Sequence, residues 1–394
     1  MTSDRVPSGP TGGGTPVSRR TVPTPALLCD LDLLTANIAR MADLAATAGV
    51  ALRPHVKSHK TALVARLQLE HGAVGLACAK LAEAEAVVDA LAGGPDGDGG
   101  GNARDGRVGI LLTSPLAGRP SADRAAALAG RCDLTVVADH PDGVDELAAA
   151  VRRTGGRLGV LCDVDVGLGR TGVVDPAGAR AVARRITAAG PVLSFGGVQG
   201  YAGHLQHTAG RAARRDGARD AALRLTAVVD ALEADGHEVR LRTGGGTGTS
   251  GLDVELGLLN ELQPGSYVFM DREYRDALGD DPEGRFHQSL TVATTVVSAN
   301  QTGFATVDAG LKAMATDTGP PVVVGAAEGV EYLFFGDEHG LVTDCPAGPR
   351  HRGDRLELVP PHCDPTVDRY DAIWLVRGDE VVGRADVVAR GRSQ

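Results

Sequence analysis

LRPHVKSHK, residues Leu52–Lys60, packs two lysines, two histidines and an arginine around an apolar, strand-like frame. Side chains of a strand alternate faces, so Arg53, His55 and Lys57 point one way and Leu52, Pro54 and Val56 the other. Lys60 falls out of phase with Lys57 and begins the next helix. A cationic row on a buried strand is costly unless something anionic meets it. The segment is therefore either a solvated basic edge or a lysine held at the mouth of a pocket for an anionic cofactor.

Working outward, short apolar runs alternate with Ala-rich helical stretches. ALLCDLDLL leads from Thr24 into an amphipathic run ending near Ala48. The expected strands are Ala51–Lys57, Val74–Ala77, Arg107–Leu112, Leu134–Ala138, Leu158–Val164, Leu193–Gln199, Glu238–Arg242 and Leu258–Leu262. Helices are expected over Leu81–Leu91, Val144–Arg153, Gly178–Ala189 and Arg211–Asp235. Eight strands alternating with helices over about 220 residues read as an α/β chain with a (β/α)8 TIM-type barrel. A doubly wound open sheet competes, and periodicity alone does not separate the two.

The character changes after Pro264. SLTVATTVVSA, FATVDAG, PPVVVGAAEGVEYLFFG and DAIWLVRGDEVVGRADVVARG are rich in β-branched residues with Gly-Asp and Asn-Gln turns. The expected organisation is a disordered tail over 1–23, a barrel over 24–264 and a mostly β C-terminal domain over 265–394. The insert Gly93–Gly106 reads as a flexible surface loop.

At 394 residues the chain is long enough for two domains with a large core. Aromatics are only 3%, so that core must come from Ala, Val and Leu. A formal net charge of −10 argues against a nucleic-acid partner. No apolar run reaches the roughly 20 residues of a membrane helix. The N-terminus lacks an apolar signal core, and six cysteines occur singly. A reduced cytoplasm suits them better than a disulfide framework.

Four stretches carry chemistry. TGGGTGTSG, Thr243–Gly251, follows the seventh expected strand, where a (β/α)8 barrel usually binds phosphate through backbone N–H groups. Gly246, Gly248 and Gly251 also satisfy GxGxxG, but too late in the chain for an opening dinucleotide unit. DVDVGLGRTG brings Asp163, Asp165 and Arg170 to the end of the fifth strand. GGVQGYAGHLQH brings Gln199, Tyr201, His204 and His207 to the same rim, the catalytic face of such a barrel. In PPHCDPT, Pro360–Thr366, the prolines forbid a helix, so an extended backbone should send His362 and Asp364 to one side and Cys363 to the other. An imidazole and a carboxylate so placed can share a divalent cation, with water and substrate completing its coordination.

Together with TPALLCDLDLL, CAKLAEAE, LQPGSYVFMD, VDAGLKAMATD and GDEHG, these stretches resemble the D-threonine aldolase and D-serine dehydratase family. Its members use pyridoxal 5'-phosphate on an alanine-racemase-like fold. The resemblance runs from Thr24 to Thr366. It implies that Lys57 forms the Schiff base and that His362 and Asp364 hold a divalent metal. Arg170 should approach the ring's phenolate oxygen, Gln199 and Tyr201 should line the cofactor, and Gly245, Gly246 and Thr247 should hold the phosphate. His207 is the first choice of base, with His204 or a metal-bound hydroxide as rivals. Family dehydratases carry His-x-Cys at the metal pair and aldolases His-x-Asp. This chain has His362-Cys363-Asp364 and so resembles the aldolases, whose hard carboxylate puts Mn2+ ahead of Mg2+ or Zn2+. The implied activity is cleavage of D-threonine and related D-β-hydroxy-α-amino acids to glycine and an aldehyde. The alternative is a D-serine or 3-hydroxy-D-aspartate dehydratase. A homodimer is implied, with neither nucleic acid nor membrane as partner.

Overall fold

Residues 17–93, 107–279, 281–282, 285–344 and 348–394 are described by the computed structural model of the chain. Most of the expected tail and nearly all of the 93–106 insert lie outside these residues. The first strand, β1 (Ala26–Asp30), belongs to a sheet completed only by C-terminal residues. The next eight form a parallel sheet of their own: β2 (Ala51–Leu52), β3 (Leu76–Cys78), β4 (Gly109–Leu112), β5 (Asp133–Ala138), β6 (Leu158–Val164), β7 (Leu193–Gly200), β8 (Leu241–Gly244) and β9 (Glu261–Leu262). They run in the order β2-β9-β8-β7-β6-β5-β4-β3. A parallel bridge His55↔Ala77, with Ala77 N–H donating to the Pro54 carbonyl at 2.8 Å, brings the β2 and β3 edges together. The barrel expected from periodicity is present.

Helices cross between these strands for reasons visible in the residues. Pro141–Thr154 starts on His140, whose side chain caps the Asp142 N–H, with Pro141 at a position that needs no donor. Val144, Leu147, Ala148 and Val151 bury one face, and Gly155 ends the helix at φ +78°. Leu81–Ala92, Pro176–Ala188 and Arg211–Ala234 match the other expected helices to within a turn. None of the described helices is long and apolar enough to cross a membrane.

The opening strand is where expectation and structure part. The regular strand ends at Leu52, backbone hydrogen bonds to the neighbouring strands continue as far as His55, and Val56–Ser58 form a 3-10 turn capped by His55. Lys57 therefore sits on a turn, not on a strand. Lys60 does not begin the next helix either. It takes φ +54°, and Thr61 caps a helix over Ala62–Glu70.

The second sheet comprises β1 with β10 (Leu290–Ser298), β11 (Phe304–Val307), β12 (Val322–Val323), β13 (Tyr332–Phe334), β14 (Gly340–Thr343), β15 (Arg355–Val359), β16 (Ala372–Arg377) and β17 (Glu380–Asp386). Its main order is β13-β14-β11-β10-β1-β16-β17, with β15 on β10 and β12 on β15. β1 pairs antiparallel with β10 and parallel with β16, so an N-terminal segment stitches the β-rich part to the barrel. The last residues of the expected tail also meet this sheet, through the bridge Ser18↔Glu380. One continuous apolar cluster, largely Ala, Val and Leu, joins the two sheets.

Candidate functional site

The cationic row meets anions of the chain itself. Arg53 Nε lies 2.9 Å from Glu261, Lys57 Nζ 2.9 Å from Asp364 and Lys60 Nζ 2.6 Å from Asp368. The first partner comes from β9, the other two from the segment after Pro361. His55 and His59 are neutral: each accepts a backbone N–H at Nδ1, from Lys57 and Thr61, which only an uncharged ring can do. Burial, reinforced by Lys57, pushes His55 down to about 3, and burial pushes His59 down to about 4.

These depressed values carry a pH prediction. Unfolded imidazoles protonate near 6.5, while the folded ones wait until about 3 to 4. Stability is therefore intact above 6.5 and is lost as pH falls from there toward 4, because only the unfolded chain takes up protons. Two such groups give a slope of about 3 kcal/mol per pH unit. Urea unfolding between pH 7 and 4.5 reads it, and a His55→Asn/His59→Asn chain removes their share of it.

Lys57 opens onto a cavity of about 470 Å³ at the C-terminal ends of the barrel strands. Thr113 and Ser114 follow β4, Arg170 and Thr171 follow β6, Tyr201 follows β7, Gly246 and Thr247 follow β8, and Gly265 and Ser266 follow β9. Arg170 stacks over the Tyr201 ring at 5.7 Å. The floor is a buried polar chain. Gln199 donates to Asp163 at 2.9 Å and to the Thr113 carbonyl at 3.1 Å. Gln263 donates to Gln199 at 3.3 Å and to Thr243 at 2.8 Å, and Thr243 donates to Glu261 at 2.9 Å. Burial raises Asp163 to about 6. The glycine loop is tight: a Cβ on Gly248 would lie 2.1 Å from the Gln206 carbonyl oxygen.

PPHCDPT is not extended throughout. His362 is the extended N-cap of a short helix, Cys363–Val367. Pro360 and Pro361 precede that cap, and Pro365 falls in the first turn, where proline is tolerated. Asp271 positions this turn from the barrel side. One of its oxygens caps the Tyr274 N–H at 2.9 Å and the other accepts the Cys363 N–H at 2.8 Å. Cys363 is buried, and Asp364 accepts from Ser266 at 3.2 Å beside Lys57, both of which line the cavity. Asp364 holds the Lys57 ammonium well above its usual range. Burial alone would raise Asp364, but Lys57 and His362 outweigh it and hold its carboxyl well below the carboxylate range.

His207 packs its ring edge-on to Tyr274 at 4.3 Å and lies 6.4 Å from the His362 ring, centre to centre. Its Nδ1 is 3.4 Å from Glu273. Its Nε2 is buried and, among the described residues, without a hydrogen-bond partner. Burial first, then His362, pushes His207 down to about 4, so it is neutral near pH 7.

Lys57, Arg170, Gln199, Tyr201, Gly246 and Thr247 thus share one cavity, with Asp364 against its lysine. His207 and His362 do not line the cavity themselves but adjoin it through Tyr274, on which His207 packs, whereas His204 and Gly245 lie apart. His204 is exposed on the turn Gly203–Leu205, beside Gly167. Gly245 lines a separate small cavity with Asp253. Sequence reasoning missed Asp271, Glu273, Gln263, Ser266 and Asp317; all but Glu273 lie within quoted stretches, but nothing local marks their partners.

The site can hold two groups. An amine in a cavity with Arg170 on one side and Gly246, Thr247 and Ser266 on another suits an aldehyde cofactor carrying a phosphate. Among the described residues no three His, Cys, Asp or Glu side chains converge on one metal position. The pair His362 and Asp364 suits a cation that keeps other positions for water and substrate.

Residues 29–273 match the family model for the alanine racemase N-terminal domain, and residues 289–376 that for a putative serine dehydratase domain. The chain belongs to this family of alanine-racemase-like enzymes, and within it to the D-threonine aldolase and D-serine dehydratase group. It is 37% identical over 377 residues to 3-hydroxy-D-aspartate aldolase of Paracoccus denitrificans (strain Pd 1222), covering 94% of this chain and 93% of that one. It is 35% identical over 386 residues to D-threonine aldolase of an Arthrobacter species, covering 98% and 97%. The crystal structure of D-threonine aldolase from Filomicrobium marinum superposes with a TM-score of 0.88 at 33% identity, over 96% of this chain and 99% of that one. The chain is a lyase of the aldolase type.

Proposed function

We propose that this protein is a pyridoxal-phosphate- and divalent-metal-dependent aldolase that reversibly cleaves D-threonine and related D-β-hydroxy-α-amino acids to glycine and an aldehyde. One observation carries the reading: the Asp364 carboxylate meets the amine of Lys57, a residue lining the cavity, at 2.9 Å. Lys57 would hold the cofactor, Arg170 and Tyr201 would flank its ring, and Gly246, Thr247 and Ser266 would receive its phosphate. His362 and Asp364 would hold the cation, with Mn2+ favoured by the oxygen ligand. When bound, the cofactor supplies a sink for the electron pair released at the α-carbon and the cation makes the β-hydroxyl more acidic.

The protein's own residues do the rest. His207 is neutral near pH 7 and its Nε2 is unengaged among the described residues, so it can take the hydroxyl proton. Glu273 beside Nδ1 steadies the imidazolium that results. Cys363 donates to Asp364 at 3.3 Å from a buried position, which favours the aldolase over the dehydratase alternative. The D preference and a homodimer are read from the family, and a cytoplasmic location from the singly spaced cysteines.

Incubating the protein, pyridoxal phosphate and Mn2+ with D- and L-threonine, D-serine, D-phenylserine and 3-hydroxy-D-aspartate tests this. Glycine plus aldehyde from the D-β-hydroxy substrates is expected; ammonia and a keto acid would make it a dehydratase. His207→Ala should lower turnover by about 10²- to 10⁴-fold with cofactor still bound. Unchanged turnover moves the base elsewhere.

A further inference from the structure

We propose that Asp317 belongs to the metal site as the outer carboxylate that fixes His362 to bind through Nε2. This rests on the metal reading above. His362 Nδ1 lies 2.7 Å from Asp317 Oδ2, and His362 is the sole ion-pair partner of Asp317 among the described residues. An imidazole that ligates a cation must be neutral, with its lone pair on the ligating nitrogen. A carboxylate holding the proton on one nitrogen leaves the other bare.

The contact is built by the fold. Asp317 and His362 are 45 residues apart. Between them stands Thr366, buried, whose hydroxyl accepts the Ala315 N–H at 2.9 Å and donates to the His362 carbonyl at 2.7 Å. One side chain thus ties the loop bearing Asp317 to the turn bearing His362. On the other face of that turn, Asp271 holds the Cys363 N–H at 2.8 Å. Both polar groups of the His362–Cys363 peptide are thus held, the carbonyl by Thr366 and the N–H by Asp271, and the imidazole is oriented by Asp317. That is what a site with only two protein ligands needs, since neither ligand can be corrected by a third.

The test is Mn2+ affinity of the full-length, cofactor-loaded, chelator-treated protein, read from free Mn2+ by electron paramagnetic resonance. Asp317→Ala should weaken binding about 10- to 100-fold, with cofactor absorbance unchanged and metal-free melting temperature close to wild type. Asp317→Asn, whose amide oxygen can still accept from Nδ1, should fall between, and Asp317→Glu should recover part of the loss. Wild-type affinity in Asp317→Ala while His362→Ala loses binding would overturn this inference alone. Failure of the wild type to bind Mn2+, or indifference to His362→Ala, would remove the metal reading and this inference with it.

Discussion

Lys57→Arg gives a folded protein that holds no cofactor covalently. Arginine keeps a cation beside Asp364 but has no amine able to condense with an aldehyde. The visible absorbance of bound cofactor should vanish, and borohydride treatment should add no cofactor mass to the chain. Aldolase turnover should fall below detection, and the urea midpoint should stay near wild type. Lys57→Ala loses the same band and also leaves Asp364 without its nearest counter-charge. Because the Lys57 side chain is 40% exposed, that loss lies between the limits for surface and buried pairs, about 1–2 kcal/mol. Retention of the band in Lys57→Arg would remove Lys57 as the attachment point and the proposed function with it.

The two variants separate because the proposed function gives Lys57 a second job beside its ion pair with Asp364, and only one of the two was legible in the sequence. Period-2 alternation put Arg53, His55 and Lys57 on one face of a strand. The backbone keeps sheet-like hydrogen bonds as far as His55 and then leaves the sheet, because His55 caps a 3-10 turn over Val56–Ser58. The expectation that something anionic meets the row survived, since Glu261 and Asp364 do so from 208 and 307 residues away. Leu158–Val164 was read correctly because an almost wholly buried strand shows as an apolar run broken only at Asp163. PPHCDPT was misread because proline was weighed as a helix breaker without asking whether it fell in the first turn. Asp271 and Asp317 act on partners far along the chain, Cys363 and His362. Spacing within their own stretches carries no trace of such contacts.

Asp364→Ala should lose metal-dependent cleavage while keeping the cofactor, and the second half of that outcome is the discriminating one. Asp364 stabilises the Lys57 ammonium, yet an amine must be neutral to attack an aldehyde. Without the carboxylate, Lys57 gives up its proton more readily, so cofactor capture near pH 7 should persist or extend to lower pH. On the proposed reading, the cation would lose its only oxygen ligand from the His362 turn. Withdrawing an interaction worth about 3 kcal/mol in the transition state lowers turnover roughly 10²-fold. Added Mn2+ should no longer stimulate the residual rate. A pH titration of the cofactor band, run beside glycine release with and without Mn2+, reads both halves. Loss of the band together with activity would mean that Asp364 serves the fold of the lysine turn. Full Mn2+-stimulated turnover in the variant would remove it from the metal site altogether.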